Sequence, residues 1–478
     1  MFTDSLLKVK PYLFYLCVLY SAFFLIGLLN FTSGGTTPPS SGLAYWLLLF
    51  WMILAGISFI FFAKSLLGNA HPNLNQAPAF LKIIWAGFFL FSFILILIPP
   101  VLSQDLYNYI FSARIGNGYE LNPYLYHFNF FRSDPFLETT IANWRDQVTP
   151  YGPVWTSFSM MITRLAGTDL PLNLFLFRLA NIFFIAGSGL ILFRILEKKA
   201  GLASRSLVLF LWNPLILLEG ISSGHNEAAL LFFLLASFYF LSRKNSKGVS
   251  QYALTVFSFV FLAIAFWIKY WAVFFIPAWF FLWWREGQKC RGTARCAPTL
   301  LALVAGIIVT LVAWAPFWDW DHWPALLSSV LIQAGRMDYP FYFGSGSLIG
   351  FWLVPETFNL WRVLCLGLWI VVSIVIFVRM IRGKIDPYLF GSAFFFFFLF
   401  LVATWVQPWY ALIILPFLLL EEKYLGAYLI MSALFLLTYF VPAGVVLFGV
   451  GWVWRINPSP TLPLTREGVA TSPLSKGD

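Results

Sequence analysis

Residues 81–124 read LKIIWAGFFLFSFILILIPPVLSQDLYNYIFSARIGNGYELNPY, and this passage decides the class of fold. From Ile83 to Ile98 the only polar side chain is Ser92. A helix of such residues crosses the hydrocarbon core of a bilayer, where backbone groups must be satisfied within the segment. Pro99 and Pro100 then stop the helix, and polar residues resume at Ser103. The pattern repeats in both directions along the chain. About thirteen apolar runs centre on 11–30, 43–63, 81–101, 171–193, 206–222, 228–242, 252–268, 271–284, 299–316, 359–378, 387–404, 409–420 and 425–449. The runs at 228–242, 271–284 and 409–420 are short, and connections at Lys269 and Pro408 are tight, so the expected count is 11–13.

Composition agrees. With 60% hydrophobic residues, only 10% charged and a mean hydropathy of +0.81, an ordinary soluble protein is excluded. The expected fold is all-α: a polytopic integral membrane protein with a long first external loop. The first run follows Lys8 and Lys10 without a small-x-small cleavage site, and reads as a retained helix, not a signal peptide. One transmembrane domain is expected over 1–454. The tail 455–478, with Pro458, Pro460 and Pro463, reads as disordered.

The net charge of +10 reports topology. If the N-terminus is cytoplasmic, nineteen of the thirty basic residues fall in inside loops, as the positive-inside rule requires. The basic balance is therefore no argument for nucleic acid. This orientation puts 103–154 and 317–347 outside as long segments. Cys17, Cys290, Cys296 and Cys365 show no zinc-like spacing, and His71, His127, His225 and His322 are far apart. Asp319, Asp321 and His322 form the one D-x-D-H pattern, more simply read as solvated loop acids. No metal site is assigned, no cofactor is called for, and a divalent cation is left open.

Within 103–154, Asp105 stands at the membrane boundary. Ser103 as N-cap, with an acid in the first turn, explains it without function. Tyr109, four residues on, shares its helix face. Gly116 and Gly118 are expected to break that helix, Asn122-Pro123-Tyr124 to turn after it, and Tyr151-Gly152-Pro153 to turn again. A boundary helix followed by a shaped loop is a candidate active-site wall.

D-x3-Y-x4-R at Asp105, Tyr109 and Arg114, N-P-Y at 122–124 and Y-G-P-x-W at 151–155 resemble the first external loop of bacterial polyprenol-phosphate-mannose-dependent mannosyltransferases, in the GT-C glycosyltransferase superfamily. G-H-N-E at Gly224, His225, Asn226 and Glu227, and Q-P-W-Y from Gln407 through Trp409 to Tyr410, extend the resemblance over roughly 80–420. It implies a multi-span catalytic domain in the bacterial inner (cytoplasmic) membrane. Its reaction would move a sugar, mannose by analogy, from a polyprenyl-phosphate donor to a hydroxyl of a glycan or lipid-linked acceptor on the extracytoplasmic face.

In that reading Asp105 is the general base, and a single displacement inverts the anomeric carbon. Glu227 is a second catalytic candidate, although at the start of a span, with Asn226 as N-cap, it also reads as a capping residue. Tyr109, Arg114, Asn122, Tyr124, Tyr151, His225, Asn226, Gln407, Trp409 and Tyr410 are candidate substrate contacts, with interfacial anchoring the plainer reading of the aromatics. Cations are needed to hold the departing phosphate. Arg178, Lys269, Arg336 and Arg362 are the candidates, against snorkelling for Lys269 and structural ion pairs for the others. Arg178 lies well inside an apolar run, where a charge has a partner or a role. A transporter or lipid flippase and a polymerase or ligase using a diphosphate-linked donor remain alternatives. Membrane lipid is a partner in every reading.

Overall fold

A computed structural model describes residues 42–68, 78–100, 102–243, 251–287, 296–326, 355–403 and 406–439, with isolated positions between 16 and 27. All regular structure in the described residues is helical. In chain order the main helices are α1 (Gly42–Gly68), α2 (Pro78–Ile96), α3 (Asp105–Gly118), α4 (Pro153–Ala166), α5 (Leu170–Leu196), α6 (Ala200–Leu211) and α7 (Glu227–Ser242). There follow α8 (Gln251–Ile268), α9 (Ile276–Gly287), α10 (Cys296–Trp314), α11 (Pro355–Ile381), α12 (Pro387–Leu401), α13 (Ala411–Leu418) and α14 (Leu425–Leu436).

Among the described residues, four stretches are long and apolar enough to cross a membrane: Tyr45–Lys64, Pro78–Ile96, Leu170–Leu196 and Val363–Ile381. Five shorter apolar helices, Glu227–Ser242, Ala253–Ile268, Leu300–Trp314, Pro387–Leu401 and Pro408–Leu418, accompany them. The chain is a helical membrane protein. Some of the apolar runs are broken helices. The run at 206–222 bends by 48° between Gly201–Leu211 and Pro214–Ser222, because Pro214 cannot donate into the ladder. Asn213 caps the second half by accepting from the Leu215 N–H at 2.9 Å. A π-turn, Leu217–Ser222, completes it. The run at 271–284 starts as a 3-10 turn, Tyr270–Phe275, before α9. Much of the first run, the end of the last one and the tail lie outside the described residues.

Buried polar groups tie the bent segment to its neighbours. The Trp212 indole donates to the Ile84 carbonyl at 2.9 Å, and Asn213 Nδ2 reaches Tyr428 Oη at 2.6 Å and Ser432 Oγ at 2.8 Å. Helix α5 packs against α6 and α7, and α8 lies between α7 and α10. By contrast α11 turns Leu360, Val363, Leu364, Val371 and Ile374 outward, as a lipid-facing helix does.

The segment 103–154 is a folded wall. After α3 come 3-10 turns at Phe128–Phe131 and Leu137–Thr139, gathered on a small core of Phe111, Ile115, Phe128, Phe131 and Leu137, and a third at Ala142–Trp144. Gly116 does not break α3 as expected: the helix runs on to Gly118, and the absence of a Cβ at Gly116 makes room for Met160.

Candidate active site

The site forms where α3 begins. Gln104 precedes the first helical residue, Asp105, whose N–H donates to Ser103 Oγ at 3.1 Å. Ser103, the expected cap, therefore supports the turn from one position before the observed one, Gln104. Facing Asp105 is the connection 223–226, between the π-turn and α7. Gly224 has φ +72°, a conformation glycine adopts readily, and a side chain there would press on Leu106. The connection is stapled: the His225 N–H donates to the Glu219 carbonyl at 3.1 Å, and Asn181 Nδ2 donates to the carbonyls of Gly220 and His225 at 2.9 and 3.0 Å.

This fixes the His225 ring between two acids. Nδ1 lies 3.6 Å from Asp105 Oδ2, and Nε2 lies 3.3 Å from Glu219 Oε2. The ring stacks on Trp409, with centroids 3.9 Å apart and planes at 20°. Burial alone would lower the imidazole pKa; the Asp105 and Glu219 carboxylates outweigh it and raise the value to about 9. At neutral pH His225 is thus an imidazolium.

A second cluster adjoins it. Lys269 stands in an extended kink between α8 and the turn Tyr270–Phe275, and its ammonium contacts Glu227 Oε1. Asn226 Oδ1 lies 3.4 Å from the same ammonium, and the Tyr410 ring lies beneath it at 5.3 Å. Asn226 does occupy the position before α7, but its side chain makes no cap and serves Lys269 instead. Its N–H donates to Tyr109 Oη at 3.3 Å, and Tyr109 stands edge-on to Tyr151 and Trp155. Burial, reinforced by the Asp105 charge, keeps the Tyr109 phenol well above its ordinary pKa. Ser222 Oγ, Ser223 Oγ, Asn226 Nδ2 and Glu227 Oε2 are buried with no hydrogen-bond partner among the described residues, and the His225 ring nitrogens meet their two acids as ionic contacts without hydrogen-bond geometry.

Other motif residues build the surroundings. Arg114 pairs with Asp134 at 2.7 Å and lies over the Phe136 ring, while Tyr119 donates to the same Asp134 oxygen at 2.9 Å. Asn122 Nδ2 donates to the Phe317 carbonyl at 2.6 Å, joining the segment 103–154 to the chain just after α10. Tyr124 donates to the Tyr151 carbonyl at 2.9 Å. A Cβ at Gly152 would overlap the Trp267 carbonyl, so the turn before α4 needs glycine to lie against the end of α8. Arg178 is buried; it reaches the carbonyls of Ile98, of Leu95 at 3.5 Å and of Leu174 at 3.0 Å. Gln407 opens the turn that carries Trp409 and Tyr410. Arg336 and the Arg362 side chain lie outside the described residues.

Asp319 accepts the N–H groups of Asp321 and His322 and meets His322 Nδ1 at 2.9 Å, and the His322 contact lowers its pKa. Among the described residues no three His, Cys, Asp or Glu side chains are grouped as a metal site. The reading of motifs missed Glu219 and Asp134. Glu219 carried a usable signal, a lone acid at the end of an apolar run. Asp134 carried none, since only the fold brings it to Arg114.

Residues 28–285 match the family described as Alpha-(1->6)-mannopyranosyltransferase, N-terminal domain. Alpha-(1->6)-mannopyranosyltransferase A of Corynebacterium glutamicum is 25% identical over 236 residues, 47% of this chain and 47% of that protein. The B enzyme of the same organism is 27% identical over 198 residues, 40% of this chain and 30% of that protein. An alpha-(1->6)-mannopyranosyltransferase of Mycobacterium tuberculosis is 30% identical over 164 residues, 31% and 25% of the two chains. The matches span less than half the length of each relative. No solved structure matches the chain.

Proposed function

The chain belongs to the alpha-(1->6)-mannopyranosyltransferase family, and from that premise we propose that it is a glycosyltransferase moving mannose from a polyprenyl-phosphate carrier to an acceptor hydroxyl on the extracytoplasmic face. Residues 1–454, with about thirteen spans, form one catalytic domain in this reading. The acceptor is a glycan or a lipid-linked saccharide.

The observation that carries the proposal is the graded enclosure of the site. Asp105 keeps 16% of its side-chain surface exposed, whereas His225, Glu219 and Glu227 are fully enclosed. An incoming hydroxyl therefore meets Asp105 first. The Asp105 carboxylate takes the acceptor proton as the acceptor oxygen bonds to the anomeric carbon, and the carbon–oxygen bond to the carrier phosphate breaks, its electrons leaving with the phosphate. One displacement inverts the carbon. Lys269, fixed by Glu227 and Asn226, supplies the cation for the departing phosphate, and the buried partnerless oxygens and amide near it suit a polar ligand. His225 and Trp409 form the floor.

The test is transfer by the purified protein in detergent from a panel of radiolabelled polyprenyl-phosphate sugars. Turnover from the mannosyl carrier with inversion is expected, and Asp105→Asn should lose about 100- to 10,000-fold, the worth of a general base. Undiminished turnover in Asp105→Asn, or a product of retained configuration, would overturn the mechanism. The bent span favours a transporter as a second reading. Its break, however, is packed by Trp212 and Asn213, whose side chains bond to neighbouring helices rather than face a cavity for a transported ion in this reading.

A further inference from the structure

A neutral imidazole has one N–H and satisfies one acceptor; an imidazolium has two. His225 faces a carboxylate on each side, and Glu219 is fully enclosed. An enclosed carboxylate is costly unless it is paired, and a doubly protonated ring standing between the two anions pairs both of them. The indole face of Trp409 at 3.9 Å favours the cation as well. Glu219 reaches the ring from a π-turn, a local insertion that redirects side chains relative to a regular helix and that recurs at functional sites.

We infer that Glu219 is a positioning residue: by holding Nε2 of His225 it keeps the imidazole doubly protonated, so that the Nδ1–H side fixes Asp105 as an anion facing the acceptor. The inference rests on Asp105 being the base. His225 keeps both protons throughout; the acceptor proton goes to Asp105 alone. The other charged and titratable groups packed around the ring do not substitute for Glu219. Glu227 is engaged by Lys269, Arg178 is spent on carbonyl oxygens, and Tyr109 holds its proton.

The pH dependence has two signed consequences. With Glu219 present the imidazolium persists to about pH 9. In Glu219→Gln one of the two acids that offset burial is gone, so the ring loses its proton at lower pH. The alkaline limb of kcat/KM should then move down by about one pH unit or more. Without the adjacent cation the Asp105 pKa rises, so the acid limb should move up. The bell narrows from both sides. Glu219→Asp, which keeps the charge, should recover much of the wild-type width, and a general loss of packing would lower the whole profile without moving its limbs.

A readout independent of turnover uses the four histidines of the full chain in detergent. Histidine-selective isotope labelling, with the His225 resonance assigned by His225→Gln, should show an imidazolium at pH 8 in the wild type and a neutral ring in Glu219→Gln. A His225 resonance titrating alike in both proteins would overturn the role of Glu219, as would unmoved limbs, even with Asp105→Asn inactive. Full turnover in Asp105→Asn would instead overturn the base reading, whatever His225 does.

Discussion

Lys269 and Glu227 offer a way to separate structure from chemistry in one set of variants. Both are buried, with side-chain exposures of 6% and 0%, and their charges meet directly. Lys269→Met deletes the cation and leaves the Glu227 carboxylate enclosed beside Asn226. Breaking a buried pair by removing one partner costs about 3–5 kcal/mol, most of it the price of the stranded charge. Glu227→Gln added to Lys269→Met removes that charge, and the double variant should regain most of the stability, because paired polar groups replaced together by uncharged ones are often near neutral. Equilibrium unfolding in mixed detergent micelles reads this half of the cycle. Transfer reads the other. If the ammonium meets the departing phosphate, the double variant should remain depressed by about 100- to 1,000-fold in kcat/KM, the loss expected for one transition-state contact. Turnover returning in parallel with stability would show Lys269 to be a structural partner of Glu227 alone, and would remove it from the phosphate site.

Arg114→Met should strand the enclosed Asp134 carboxylate and loosen the wall formed by 103–154, seen as faster proteolysis within that segment with the apolar helices intact. The defect should be relieved by adding Asp134→Asn, which still bonds Tyr119. Gly152→Ala drives a methyl into the Trp267 carbonyl and should reduce folded yield, measured as monodisperse protein recovered in detergent, whereas Gly118→Ala, with open space around it, should match the wild type.

Parts of this architecture were legible in residue spacing and parts were hidden by partner choice. The i, i+4 relation of Asp105 and Tyr109 does place both on one boundary helix, and the motif around His225 does face it. The same reasoning cannot say which motif residues point at the centre. Arg114, Asn122 and Tyr124 turn to Asp134, Phe317 and Tyr151, and Asn122 meets its partner across 195 positions. Arg178 is different, because its partner could have been found. Pro99 has no N–H to give the Leu95 carbonyl four residues back, so α2 ends with acceptors in need of a donor, and a buried guanidinium is well suited to supply it. The bend at Pro214 was equally readable from proline alone; the π-turn beyond it, which brings Glu219 to His225, was not.

Charge balance links these pieces. With His225 charged, the acids of the centre, Asp105, Glu219 and Glu227, are formally matched by His225, Lys269 and the neighbouring Arg178, so the cluster and its surroundings are neutral before a donor enters. A polyprenyl-phosphate sugar brings a phosphodiester with one negative charge, and transfer leaves a monoester that carries a second. In the proposed reaction Asp105 gives up its negative charge to the acceptor proton as the phosphate acquires its own. The total charge of the enclosed cluster is thus unchanged from reactants to products. A low-dielectric site penalises any step that creates net charge, so a base that titrates in concert with the leaving group is favoured over one that shuttles a proton to water. Keeping Asp105 anionic until that moment is then the task left to the cation beside it, and the enclosure of His225 between two carboxylates is how this chain can hold such a cation in a largely apolar surrounding.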